Sequence, residues 1–323
     1  MQVIRDKYGR TFKTLRVSLL SHCNLGCVYC VSGDDALKLS NRDKDGPHHS
    51  PLSVPALLAI IERLHGQLQL DTVRLTGGEP LLFTGLAALI EGIRTLGIPG
   101  IKLTTNGFLL ERLAAKLKKA GMGPVNVSLD AIDEDVFFRM SKRHSVERII
   151  RGIDAALDAG LPVKINTVVM RGMNDSQIVP LLEFAMSRHI QIRFLEVMAM
   201  GHLHDQSKKY LVAQWEILET IARHYRFAPL GRAGSATASY WRMDNGHEFG
   251  IIANESEPFC RDCNRLRLDS QGNIYGCLSS NHPVALDISD SEKDWNDNLQ
   301  AALLQKQALR FTGSDLSMLH IGG

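Results

Sequence analysis

No stretch of the 323-residue chain approaches the roughly 18 consecutive apolar residues that a membrane helix needs. The opening residues Met1–Lys7 carry no apolar core of a secretory leader, which points to the cytoplasm. Neither sign of charge dominates: 37 basic residues stand against 35 acidic ones, a net charge of +2. That balance argues against a dedicated nucleic-acid binder, which concentrates basic charge. There is no internal repeat and no low-complexity tract, and residues 31–259 contain no cysteine. The 44% hydrophobic and 22% charged residues exclude disorder and coiled coil, and the length suits a large domain with or without a small one.

The six cysteines form two triplets, Cys23-x3-Cys27-x2-Cys30 and Cys260-x2-Cys263-x13-Cys277. A disulfide framework fits poorly with a large chain that shows no export signal. Structural zinc takes four tetrahedral ligands, and each triplet supplies three; His22 beside Cys23 is badly placed to complete a set. An iron–sulfur cluster also usually takes four thiolates, and three leave one iron open to a substrate or cofactor atom. Spacing favours clusters over zinc, more strongly for the first triplet than for the second.

Hydrophobic periodicity predicts six β-α units. Strands are expected at Leu15–Leu20, Thr72–Leu75, Ile101–Thr104, Val125–Leu129, Val163–Val169 and Gln191–Leu195. The helices between and after them are expected at Val54–Leu68, Leu86–Leu96, Leu110–Ala120, Val146–Ala159, Ile178–Arg188 and Val212–His224. Such alternation implies a parallel sheet covered by helices, as a partial barrel or a doubly wound sheet. Residues 32–50 read as a polar loop, and the basic stretch Arg139–Arg151 as a solvated helix face. After about residue 226 the pattern changes. Gly231–Ser239 reads as a loop, short alternating runs follow at Tyr240–Met243 and Phe249–Ile252, and a last helix is expected over Trp295–Leu309.

In parallel β-α folds reactive groups gather at the carboxyl ends of the strands. Cys23, Gly77-Gly78, Thr105-Asn106, Ser128, Asp130 and Met198 fall there. Glycine lacks a Cβ and lets a ligand approach the backbone, though the pair equally suits a plain tight turn. Tyr29 reads as a packing aromatic or a support for an adenine ring. Arg16, Arg74 and Lys164 point to an anionic substrate if their side chains face the interior.

The Cys-x3-Cys-x2-Cys spacing after a first strand, with Tyr29 before its last cysteine, resembles the signature of radical S-adenosylmethionine (SAM) enzymes. Thr76-Gly77-Gly78-Glu79-Pro80 resembles that superfamily's glycine motif. Within the superfamily the chain resembles the MoaA family, the GTP 3′,8-cyclases of molybdenum cofactor biosynthesis. The segments that carry this likeness are Asp6–Arg10 with Leu15–Ser18, Val73–Thr76, Thr104–Gly107, Val127–Asp130, Lys164–Asn166, Ile192–Glu196, Phe259–Leu268, Cys277-Leu278 and the Ile321-Gly322-Gly323 end.

The resemblance implies a partial (β/α)6 TIM-like barrel over residues 1–225. Residues 226–323 would form a C-terminal region carrying a second cluster and the Gly-Gly tail. Cys23, Cys27 and Cys30 would hold one 4Fe–4S cluster, and Cys260, Cys263 and Cys277 another. Tyr29, Gly78, Ser128 and Met198 would line the SAM pocket. Arg16, Arg74, Thr105, Lys164, Arg265, Leu266 and Arg267 would hold GTP, with Arg265, Arg267, Gly322 and Gly323 serving the reaction itself. A 5′-deoxyadenosyl radical would take hydrogen from the ribose 3′ carbon, and that carbon would then join guanine carbon 8. The implied partners are an external electron donor such as flavodoxin or ferredoxin and a hand-off to MoaC, in a possible homodimer. The chain departs from the family's usual pattern at Ser21-His22, Val31-Ser32 and Phe83. Another nucleotide, or a peptide, is therefore the alternative substrate.

Overall fold

The computed structural model describes residues 4–32 and 51–322. Most of the expected loop over residues 32–50, and Gly323, lie outside the described residues.

The β-α alternation folds as read. Strand β1 (Thr14–Ser18) precedes α1 (Val54–Leu68), and β2 (Thr72–Thr76) precedes α2 (Leu86–Thr95). Next come β3 (Gly100–Thr105), α3 (Leu110–Ala120) and β4 (Val125–Ser128), then α4 (Glu134–Ser141) and α5 (Val146–Asp158). The series continues with β5 (Val163–Val169), α6 (Ile178–Ser187), β6 (Gln191–Glu196), α7 (Ser207–Tyr210) and α8 (Gln214–Ala222). Local chemistry sets the boundaries. Ser53 caps α1 by accepting from the Ala56 N–H, and Gly121, at φ 100°, ends α3.

Two stretches differ from expectation. The basic stretch is not one helix face: α4 ends at Ser141, and α5 starts after a turn through Lys142 and Ser145, both with positive φ. The Glu134 carboxylate fixes that turn by accepting from the backbone N–H groups of Ser145 and Val146. Arg139, Lys142, Arg143 and Arg151 remain exposed, as read. The last helix, α9 (Glu292–Leu304), stops five residues early. Its final turn closes through the Gln305 and Lys306 N–H groups, and the chain then leaves the helix axis.

The strands after residue 226 extend the same sheet. They are β7 (Phe227–Gly231), β8 (Ser239–Met243), β9 (Glu248–Ile252), β10 (Arg265–Leu268), β11 (Asn273–Tyr275) and β12 (Val284–Ala285). The order is β12-β11-β10-β1-β2-β3-β4-β5-β6-β9-β8-β7. The run from β10 to β9 is parallel throughout, and the outer strands at each end are antiparallel. Among the described residues the two end strands do not pair, so the sheet is open.

One face of the sheet carries the core. Leu15, Val17, Val73, Leu75, Leu103 and Ile165 alternate onto it and pack under the helices with Ile61, Leu64, Leu89 and Ile153. The residues between them are polar and only half buried: Arg16, Arg74, Lys102, Thr104, Lys164 and Asn166. In an ordinary parallel sheet both faces are covered and apolar. Here the inner face is polar and free for a ligand.

Candidate functional site

The Gly-Gly-Glu turn after β2 seats the chain that leads into the first cysteine. The Gly78 N–H donates to the Leu20 carbonyl at 2.7 Å, and the Glu79 N–H donates to the His22 carbonyl at 2.9 Å. A Cβ on Gly78 would lie 1.8 Å from the His22 oxygen. The glycine freedom read from the sequence is thus used first by the protein's own backbone.

The Glu79 carboxyl, 1% exposed, accepts from the Thr105 hydroxyl, the Asn106 N–H and the Leu81 N–H. Burial pushes its pKa up to about 7 despite these donors. Asn106 is thereby held so that its Nδ2 reaches the Cys23 sulfur at 3.5 Å and the Asn24 Oδ1 at 2.8 Å.

The loop Cys23–Cys30 is anchored on its other side by α4. The Gly26 N–H donates to Ser141 and the Val28 N–H to Met140. The Tyr29 hydroxyl donates to Asp130 at 2.9 Å, just beyond β4. Burial raises the Cys23 thiol to about 12, with the Glu79 carboxyl adding to the effect, and raises Cys30 to about 11.

The second triplet lies at the amino end of β1: Cys260 and Cys263 precede β10, which pairs with β1 in parallel, and Cys277 follows β11, which runs antiparallel to β10. Arg10 ties it down, donating at 2.6 Å to the Cys260 carbonyl and at 3.0 Å to the Gln307 carbonyl. Burial raises the Cys260 thiol to about 11. Burial also acts to raise Cys263, but the Lys306 and Arg265 cations and their hydrogen bonds outweigh it and bring that thiol down to about 6.

Between the triplets, register places cations side by side. Arg267 lies opposite Arg16, Arg16 opposite Arg74, and Arg74 opposite Lys102 on four successive strands. Like charges directly opposite one another are destabilising. Arg193 on β6 and Lys164 on β5 add to the same field. A cavity of about 230 Å³ opens among Arg16, Arg74, Lys102, Arg193, Tyr240 and Arg265. Burial, reinforced by the neighbouring arginines, depresses the pKa of Arg16 well below the usual range and brings Arg74 and Arg267 down to about 10. The Arg16 Nε and the Arg193 Nε and Nη2 are buried without a hydrogen-bond partner. Buried, unpartnered guanidinium donors that repel one another define a site for a polyanion.

The tail reaches this site. Arg267 donates to the carbonyls of Ile321 and Gly322, and the Ser18 hydroxyl donates to the His320 carbonyl. A Cβ on Gly322 would meet Thr76 and Ser18, so the tail lies across the carboxyl ends of β1 and β2. The Leu319 N–H points at the Cys30 sulfur.

Of the residues singled out in the sequence, the structure brings Arg16, Arg74 and Arg265 into one cavity, with Arg267 and Gly322 beside it. Lys164 stands over the Tyr240 ring at 5.7 Å. Leu266 is fully buried, between the two arginines in sequence. Thr105 is buried and engaged with Glu79, and it is Thr104 that faces Arg74, at 3.3 Å. Ser128 ends β4 opposite Asn166, and Met198 packs with the small apolar group of Met200, Tyr275, Phe311 and Ile321. The sequence reading gave no role to Lys102, Arg193 and Lys306, and placed Asn106 only at the end of its strand. Strand alternation puts Lys102 and Arg193 each on the polar face of its strand without saying that this face meets a ligand.

Among the described residues no three His, Cys, Asp or Glu side chains converge on one ion position. A cluster asks for something else, since each cysteine binds a different iron. What the donor set does show is N–H groups of Leu25, Asn106 and Leu319 turned to the sulfurs of the first triplet, and the Lys306 ammonium turned to one of the second. These donors partly offset the burial that pushes the first-triplet thiols up, and a metal deprotonates the thiol it binds, so the residues present fit a cluster at each triplet.

A β-α sheet with a thiol triplet behind its first strand and a glycine turn behind its second defines the class of radical SAM proteins. Residues 17–185 match the family described as the radical SAM superfamily, and residues 190–313 match Molybdenum Cofactor Synthesis C. The chain is 38% identical over 286 residues to a GTP 3′,8-cyclase of Staphylococcus aureus (strain JH9), covering 86% of this chain and 82% of that one. It is 37% identical over 285 residues to the enzyme of the same name from Staphylococcus epidermidis, with the same shares covered. In fold it is similar to Streptococcus suis SuiB bound to S-adenosylmethionine, with a TM-score of 0.64 and 16% identity, covering 91% of this chain and 68% of SuiB. The chain belongs to the radical SAM superfamily and, within it, to the GTP 3′,8-cyclase (MoaA) family.

Proposed function

We propose that this chain is a radical SAM GTP 3′,8-cyclase of molybdenum cofactor biosynthesis. The observation that carries the reading is the in-register row Arg267–Arg16–Arg74–Lys102, with unpartnered buried guanidinium donors, set between two cysteine triplets. A nucleoside triphosphate supplies the charge that row lacks, and guanidinium forks match phosphate oxygens.

Residues 1–225 carry the SAM chemistry in this reading, and residues 226–323 complete the substrate site. Cys23, Cys27 and Cys30 hold one 4Fe–4S cluster, and Cys260, Cys263 and Cys277 hold a second. When bound, the first cluster supplies the electron that cleaves SAM and so the radical that takes the ribose 3′ hydrogen. Tyr29, Gly78, Ser128 and Met198 line the SAM pocket. Arg16, Arg74, Lys164 and Arg193 fix the triphosphate, which sets the ribose toward the first triplet and the base toward the second. Thr105, through Glu79 and Asn106, keeps the Cys23 loop in place. Arg267 holds the tail over the strand ends, with Gly322 and Gly323 closing the site and excluding water from a radical step.

No helix among the described residues is long and apolar enough to cross a membrane. The reading places the enzyme in the cytoplasm, taking electrons from a flavodoxin or ferredoxin and passing product to MoaC.

Iron and sulfide analysis after anaerobic reconstitution tests the cofactor set. The wild type is expected to hold about eight irons, and Cys260→Ser/Cys263→Ser/Cys277→Ser about four, with cyclisation of GTP lost. About four irons in both proteins would remove the second cluster and reduce the reading to a generic radical SAM enzyme.

A further inference from the structure

Lys306 is an unusual residue to find where it is. It is 3% exposed, and its Nζ donates to the Arg265 carbonyl and to the Cys263 sulfur, the latter at 3.5 Å. Its Nζ also stands over the Phe12 ring, 4.9 Å from the centroid. The early end of α9 puts it there: the Lys306 N–H closes the last turn on Leu303, and Arg10 clamps the next carbonyl, that of Gln307. Neither of these two acceptors is a carboxylate. The acidic residue next to Cys263 in sequence, Asp262, is turned to Arg232 at 2.9 Å. Burying an ammonium ion is costly unless an anion accompanies it.

The two triplets therefore sit in opposite surroundings. Glu79 and Asp130 face the first, through Asn106 and Tyr29. Lys306, Arg265 and Arg267 face the second. The potential of an iron–sulfur cluster follows its net charge and the hydrogen bonds to its sulfurs. A donor cation on a ligand sulfur stabilises the more negative, reduced state.

We propose that Lys306 is the buried counter-ion of the cluster held by Cys260, Cys263 and Cys277, and that its hydrogen bond to Cys263 raises that cluster's reduction potential. The second cluster then accepts an electron more readily than the first. Lys306 acts through Cys263 and is a positioning residue. The inference rests on the two-cluster reading.

The test uses full-length protein carrying Cys23→Ser/Cys27→Ser/Cys30→Ser, so that only the second cluster reports, without nucleotide. Its midpoint is read by a redox titration followed by electron paramagnetic resonance. Lys306→Met is expected to lower the reduction equilibrium constant at least tenfold, about 59 mV more negative for one electron. Lys306→Arg, which keeps a cation, is expected to stay near the parent. Should Lys306→Met fail to load a cluster that Lys306→Arg does load, the counter-ion role stands on retention. An unchanged midpoint in loaded Lys306→Met overturns the proposal, as does equal loss or equal shift in both variants. A parent with no cluster at all contradicts the two-cluster reading itself, and the proposal falls with it.

Discussion

Arg193→Ala is expected to raise the KM for GTP by roughly 10²-fold or more while leaving cluster content unchanged. Two nitrogens of Arg193 are buried without partners, and the Tyr240 hydroxyl lies against the guanidinium. Hydrogen bonds to charged groups contribute about 1.5–3 kcal/mol each. Losing two that form only with the triphosphate gives an effect of that size. Burial already depresses the Arg193 pKa, and its charge weighs on Arg74 and Lys164. Removing it relieves repulsion in the empty site, so the nucleotide-free protein should melt no lower than wild type. Arg193→Lys keeps the charge without the fork and should recover only part of the affinity. Steady-state kinetics across GTP concentrations, with a thermal melt, check this. An unchanged KM would mean that the orphaned donors do not meet the substrate.

Gly78→Ala should abolish SAM cleavage, reducing 5′-deoxyadenosine formation at least 10²-fold. The new Cβ would fall 1.8 Å from the His22 oxygen and 2.3 Å from its carbonyl carbon. Those are backbone atoms, so no side chain can swing away. The segment must shift, and it carries Cys23 and the hydrogen bonds of Gly78 to Leu20 and of Glu79 to His22. Misplacement of about 1 Å at a reacting centre costs on the order of 10²-fold. Gly66→Ala in α1 is the control, because a Cβ there meets nothing within 4 Å. It should leave activity intact and stabilise the helix by about 0.5–1 kcal/mol. Iron content and 5′-deoxyadenosine yield read both variants. Normal yield from Gly78→Ala would show that the turn does not position the cysteine loop.

Much of this was legible because the chain obeys short-range rules. The expected limits of α1, α3 and β5 coincide with those observed, since each is a clean apolar period closed by a cap or a turn. Helix α4 was not read, although Asp133 is a good N-cap with Glu134 and Asp135 in the first turn. Its last turn merges with the basic run Arg139–Arg151, which hides the break between two helices. Strand β7 carries Pro229 and Gly231, residues that argue against a strand in sequence and are tolerated at this outer edge. Arg193 is a single arginine in an alternating strand, and nothing local says which face borders solvent and which a ligand. That the two triplets flank one row of cations was out of reach altogether. It depends on β10 pairing with β1 across some 250 residues, a parallel contact that leaves no periodic trace. Lys306 is readable only once the true end of α9 is known.

The most direct test of the central claim is isotope transfer. GTP deuterated at the ribose 3′ carbon is incubated anaerobically with the reconstituted protein, SAM and reductant, and the 5′-deoxyadenosine is analysed by mass spectrometry. One deuterium in the 5′-deoxyadenosine, together with a cyclised GTP product, is the expected result. Unlabelled 5′-deoxyadenosine, or none from protein holding both clusters, would contradict the assignment.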